Sequence, residues 1–409
     1  MHNTLIIGAG GVAQVAAHKC AQNNDILGNI CVASRTRSKC QEIIESVVSH
    51  KSIKDNSKLF SSTSVDALDT AAVIKVIEET ESTIVLNLAS PFVNMSVLDA
   101  CIETGVTYID TAIYEHPDRV AAICEPPPWY GNYEWKKKEA CKQAGVTAIL
   151  GIGFDPGVVN AYCAMAARNY FDAIDTIDIM DVNAGSHGKY FSTNFDPEIN
   201  FREFTGKVLS WIDRKWVQNK VHEVKQVYDF PEVGKQTIYL TGHDEVHSLS
   251  QNIDANSIRF WMGFGDHYIN CFNVLKNIGL LSEKPVMTAE GLEVIPLKVV
   301  KACLPDPKTL APNYVGKTCI GCLVKGTRLG NHREIFTYNI CDHVECYRET
   351  DSQAISYTAG VPAVAAAILV ANGEWNPKTM VNVEELPPVP FINLLDKMGL
   401  PTKTEILVG

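Results

Sequence analysis

Thr4-Leu5-Ile6-Ile7-Gly8-Ala9-Gly10-Gly11-Val12-Ala13 is the stretch that decides the fold. Thr4 and the three apolar residues after it read as a short buried strand, the glycines as a tight turn, and residues 13–21 as a helix. That order is the unit that cradles a pyrophosphate. Gly8 permits the turn, Gly10 lets a phosphate approach the backbone, and the small Ala13 lets helix pack closely on strand. Gly11 and Val12, between them, complete the expected cofactor-contacting set.

Working outward, residues 29–34 form a second apolar run and 38–48 a helical pattern. Residues 57–61 give a weak third strand, 83–88 a fourth, and 106–109 and 146–151 supply a fifth and sixth. Strands alternating with helices predict parallel crossovers, and so an α/β fold with a doubly wound Rossmann sheet. Beyond Tyr170 the texture becomes α+β, with strands expected at 173–182 and 237–240. Residues 355–372 turn helical again, and Pro387, Pro388 and Pro390 lead into a short helix at 392–398. The expected organisation is a Rossmann domain over 1–155, an inserted α+β domain for substrate and dimerisation over 156–350, and a segment over 351–409 packing back on the first domain.

Composition narrows the function. The chain has 409 residues, 46% of them apolar and 20% charged, as expected of a folded globular protein of two domains. Its 36 basic against 47 acidic residues leave a net charge of −11, which disfavours a nucleic-acid partner and suits a cationic small molecule. The 13 cysteines are irregularly spaced and no signal-peptide pattern precedes them, which predicts reduced thiols in a cytoplasm. The apolar run at 359–371 contains Gly360 and Pro362 and is too short for a membrane span, so no membrane partner is expected. Cys319 and Cys322 have the spacing of zinc ligands, followed by Cys341, His343 and Cys346. The preferred reading is a hairpin of strands 318–325 and 334–340 around a turn at 326–330, with no metal.

The second strand ends in Ser34-Arg35-Thr36-Arg37. An NAD site places an acid here for the ribose hydroxyls; Ser34, Arg35 and Thr36 offer donors instead, which suit the 2′-phosphate of NADP(H). Asn87-Leu88-Ala89-Ser90-Pro91 lies at the carboxyl edge of the fourth strand, so Asn87, Ala89, Ser90 and Pro91 are expected beside the nicotinamide. Asp155, in Gly151-Ile152-Gly153-Phe154-Asp155-Pro156-Gly157, is either a helix cap or a site residue.

Gly8 to Ala13, Tyr108-Ile109-Asp110-Thr111, Phe154 to Gly157 and Ser356-Tyr357-Thr358-Ala359-Gly360-Val361-Pro362 together resemble the saccharopine dehydrogenase family. Gly242-His243-Asp244-Glu245-Val246-His247, Tyr338-Asn339-Ile340-Cys341-Asp342-His343 and Val381-Asn382-Val383-Glu384-Glu385 are most similar to its carboxynorspermidine and carboxyspermidine dehydrogenase branch. The resemblance implies an NADPH-dependent reductive condensation of aspartate β-semialdehyde with 1,3-diaminopropane or putrescine; for assembly, a homodimer is the default expectation. Under it Asp110 and His243 are the proton-transfer candidates. Arg202 would bind the amino-acid carboxylate, Asp244 and Glu245 the distal ammonium, and Asp155 and Glu203 join the substrate-binding set. A saccharopine reductase activity is the alternative within the family, and a non-catalytic NADP sensor the alternative outside it.

Overall fold

A computed structural model describes residues 2–118 and 131–409. The first domain carries β1 (Thr4–Ile7), β2 (Ile30–Ser34), β3 (Phe60–Ser64), β4 (Ile84–Asn87), β5 (Thr107–Asp110) and β6 (Ala148–Leu150), all parallel, in the order β3-β2-β1-β4-β5-β6. Every residue of β1 and β4 is buried, because helices cover both faces of the sheet. The strands begin or end within a few residues of their sequence expectations, as edge positions usually do.

The second domain is a nine-stranded sheet. It contains β7 (Ala173–Asn183), β8 (Val208–Ile212), β9 (Lys215–Asn219), β10 (Lys225–Phe230), β11 (Gly234–Thr241) and β12 (Ala255–Gly263). A separate ribbon, β13 (Val286–Met287) with β14 (Glu293–Val294), precedes the long hairpin of β15 (Lys317–Arg328) and β16 (Asn331–Asp342). Alternation along β7 puts Ile177 and Ile179 in the core shared with the first domain, and Met180 and Val182 in the core on the other face. Asp181 therefore faces the first domain.

The same alternation separates the two cysteines of the CxxC pair. Three residues apart on β15, Cys319 packs with Met180 and Phe230 on one face and Cys322 with Ile179 on the other, so they cannot share an ion. His343 is also committed, its Nε2 to Asn183 Oδ1 at 3.0 Å and its Nδ1 accepting from the Ala354 amide at 3.1 Å.

The chain's return is double. The helix Ala354–Ala371 is long and apolar enough to cross a membrane by composition, but 78% of it is buried in the protein, where it lies against the helix Gly11–Gln22. After it β17 (Met380–Asn382) joins the first sheet beside β6, as a seventh parallel strand the sequence did not announce. The last residues then leave that domain. β18 (Lys403–Val408) pairs antiparallel with β16, so the segment expected to pack back on the Rossmann domain also adds a strand to the second sheet.

The two helices meet at a glycine. A Cβ on Gly360 would stand 2.8 Å from both the Val12 carbonyl oxygen and Val15 Cβ, on the helix that carries the cofactor turn. Helix propensity alone favours alanine over glycine by about 1 kcal/mol, whereas overpacking costs roughly 1–3 kcal/mol. Gly360→Ala should lower the midpoint of thermal unfolding, and a raised midpoint would show that the contact does not limit the packing.

Candidate active site

A cleft of about 1530 Å³ runs between the domains at the carboxyl ends of the parallel strands. Gly8, Gly10, Gly11 and Val12 line it, followed by Ser34, Arg35 and Thr36 at the end of β2 and Ala89, Ser90 and Pro91 beyond β4. Gly8 has φ +128°, and a Cβ there would sit 2.6 Å from the Leu88 carbonyl oxygen. Nothing lies within 4 Å of a Cβ built on Gly10, and the helix Gly11–Gln22 starts with no side-chain cap. Its first amides are left for an anion, which is the fit a dinucleotide pyrophosphate needs.

The other half of the cleft is acidic. Asp155 follows β6, Asp181 projects from β7, Glu203 comes from the helix Pro197–Thr205, Asp244 follows β11, and Glu115 follows β5. His243 stands among them. Its Nε2 is 2.9 Å from Glu203 Oε1, its Nδ1 makes a short contact with Glu245, and its ring stacks on Phe260 at 4.0 Å. Burial favours the neutral ring, but Glu245 and Glu203 outweigh it and hold His243 protonated well above the usual imidazole range.

The carboxyls respond in the opposite direction. Asp155 and Asp181 are near enough to share a proton, while Asp155 Oδ2 and Asp181 Oδ1 find no donor among the described residues. Burial, then Asp181, raises Asp155 well above the carboxylate range, against the pull of His243. Burial lifts Asp181 to about 7 and Asp244 to about 8, again against His243. Such a cavity keeps protons at neutral pH that a cation could displace. Asp178 shows the contrast: three residues from Asp181 and on the other face of β7, it is held by Arg259 at 2.7 and 2.8 Å.

Several expected site residues are placed elsewhere. Asp110 is buried, with Oδ1 accepting from the Gly151 amide at 2.6 Å and Oδ2 from the Tyr108 hydroxyl at 2.8 Å, so it ties β5 to the turn before Asp155 and does not reach the cleft. Glu245 is fully buried behind His243 and orients that ring instead of meeting an ammonium. Arg202 borders the cleft, but carboxylates from Glu115 at 3.2 Å, Glu283 at 2.7 Å and Glu198 at 3.6 Å surround it, and it donates to the Pro117 carbonyl at 2.8 Å. A substrate carboxylate would have to displace those partners.

Asn87 is likewise turned inward, donating to Asn94 Oδ1 at 2.8 Å and to the Tyr108 hydroxyl at 3.2 Å, and Ala13 is buried under the turn. Asp155 does not cap the following helix, since Asn160 Oδ1 takes the Gly157 amide at 2.9 Å. Asp181, Glu115, Lys39 and Lys308 line the cleft without having been singled out in the sequence. For Asp181 the signal was an acid inside the apolar run Ile177-Asp178-Ile179-Met180-Asp181-Val182 of a buried strand.

Because Asp181 moves from 3.8 to about 7 on folding, the native state holds its proton more tightly than the unfolded chain does. The stability this contributes is complete below the unfolded value and disappears as pH rises through about 7. Asp181→Asn keeps the neutral form at all pH, so its thermal midpoint relative to the parent should improve between about pH 5 and about pH 8. A difference independent of pH would contradict the shift.

Comparison with known proteins agrees with this geometry. Residues 4–149 match the saccharopine dehydrogenase NADP binding domain and residues 153–400 the saccharopine dehydrogenase C-terminal domain. The chain is 46% identical to the carboxynorspermidine synthase of Vibrio alginolyticus over 97% of this chain and 95% of that protein. It is 40% identical to the carboxyaminopropylagmatine dehydrogenase of Synechocystis, over 98% and 97% of the two. In fold it resembles the L-Glu-forming saccharopine dehydrogenase of Saccharomyces cerevisiae, with a TM-score of 0.70, 13% identity and all of both chains covered. The cofactor is NADP(H), and the chain belongs to the saccharopine dehydrogenase family of NADP-dependent oxidoreductases.

Proposed function

We propose that this enzyme joins aspartate β-semialdehyde to a short diamine, 1,3-diaminopropane or putrescine, and reduces the imine to a carboxylated polyamine. One observation carries the reading: Asp155, Asp181, Glu203, Asp244 and Glu115 all line the cleft beyond the dinucleotide turn. A diammonium ion complements that wall. Glutamate, the co-substrate of a saccharopine reductase, would bring two further negative charges against it. The names of the relatives, a carboxynorspermidine synthase and a carboxyaminopropylagmatine dehydrogenase, support an amine partner.

The chemistry divides among the residues. The attacking nitrogen gives up a proton before adding to the aldehyde carbon, and the resulting carbinolamine must receive one on its hydroxyl before water leaves. Asp155 and Asp181, sharing one proton between two carboxyls, are assigned both transfers. His243, charged and fixed between Glu203 and Glu245, stabilises the carboxylate state of that pair. Asp244 takes the distal ammonium. NADPH, when bound, supplies the hydride to the imine carbon. The aldehyde's carboxylate falls to Lys207, Lys220 and Lys276, cleft cations with no ion pair among the described residues, and not to Arg202.

The test is steady-state NADPH oxidation, which should require aldehyde and diamine together; oxidation without amine, or none with both, contradicts the reading and the latter favours a sensor. A charged hydrogen bond contributes on the order of 1.5–3 kcal/mol. Asp244→Asn should therefore raise KM for the diamine by about one to two powers of ten and leave that for the aldehyde nearly unchanged. Activity with glutamate in place of the diamine would make saccharopine reductase the better assignment.

A further inference from the structure

The far end of the cleft collects cations from both domains. Arg35 follows β2, is exposed and makes no ion pair among the described residues. Lys39 lies on the first turn of the helix Arg37–Ser49, with Nζ 3.6 Å from Asp306 Oδ2 of the second domain. Lys308 belongs to the 3-10 helix Pro307–Asn313, whose first turn Asp306 caps by accepting from the Lys308 amide at 3.1 Å. Asp306, Pro307 and Lys308 line the same cleft as Ser34, Arg35 and Thr36.

Lys308 is half-buried, and its ammonium makes no ion pair among the described residues. Burial lowers its proton affinity; Glu42 and Asp306 oppose that, and Lys39 adds a smaller lowering, with Asp351 opposing it least. Arg35, Lys39 and Lys308 line one cleft with the Asp306 carboxylate paired to Lys39 and Glu42 acting on Lys308, so this end keeps an excess of positive charge that suits a further anion. The 2′-phosphate of the cofactor is a dianion that belongs at the end of β2.

We infer that Lys308, delivered by the second domain, closes with Lys39 on the 2′-phosphate opposite Arg35, so that discrimination between NADP(H) and NAD(H) is divided between the domains. Sequence position hides this, since Lys308 lies far along the chain from the turn it completes. The bound phosphate then also ties the two walls of the cleft together. The inference concerns the cofactor alone and is independent of the amine.

Two probes isolate the phosphate: adenosine 2′,5′-bisphosphate, which carries it, and 5′-AMP, which does not. Calorimetric titration of the full chain should show Lys308→Met weakening the bisphosphate by about tenfold or more and leaving 5′-AMP unchanged, which also shows that the variant is folded. Lys308→Arg should retain most of the affinity. Unaltered bisphosphate binding by Lys308→Met would overturn the inference, and so would an equal loss for both probes, which would mark a structural role.

Discussion

A carboxylate moved out of water needs a counter-charge or keeps its proton, and the cleft between the two domains is built around that constraint. Asp155, Asp181, Glu203 and Asp244 surround His243, whose own two nitrogens are already taken by Glu203 and Glu245. One imidazolium cannot neutralise so many acids, so some stay protonated near neutral pH. The residues come from the end of β6, the middle of β7, the helix Pro197–Thr205 and the turn after β11, and only the packing of the domains brings them together. The tie from Asp110 to the Gly151 amide and the cap of Asn160 on Gly157 fix the turn that presents Asp155.

Local signals made half of this site legible in the sequence. The glycine turn, the missing acid after β2 and the run around His243 each combine residue type with an adjacent strand or helix end, where geometry follows from the chain itself. Lys308 carried no such signal, and Asp181 only that of an acid in an apolar run, because their neighbours in space come from other elements. The same reason misplaced Asp110 and Arg202, whereas Glu245 turns inward onto His243, only two positions away. Asp110 finds its donor 41 positions on and Arg202 its carbonyl acceptor 85 positions back, and a polar residue whose partner is distant reads as free. β18 was missed for a related reason: all six of its residues are exposed, so no apolar alternation marks it as a strand.

The two halves of the cleft differ in the charged groups they present. Arg35, Lys39 and Lys308 line the cofactor half, the helix amides open beside the glycine turn, and the other half mixes the carboxyls with Lys207, Lys220 and Lys276. The helix Ala354–Ala371, pressed against the cofactor helix at Gly360, holds those two halves in one frame.

The central claim is that protons in the acidic wall stand in for an ammonium ion. Calorimetric titration of 1,3-diaminopropane into the NADP-loaded enzyme, in two buffers of different ionisation enthalpy, measures that exchange directly. Binding should release protons, on the order of one per diamine near pH 7, because carboxyls raised toward neutrality ionise when the cation arrives. Binding with no proton release, or proton uptake, would contradict the account.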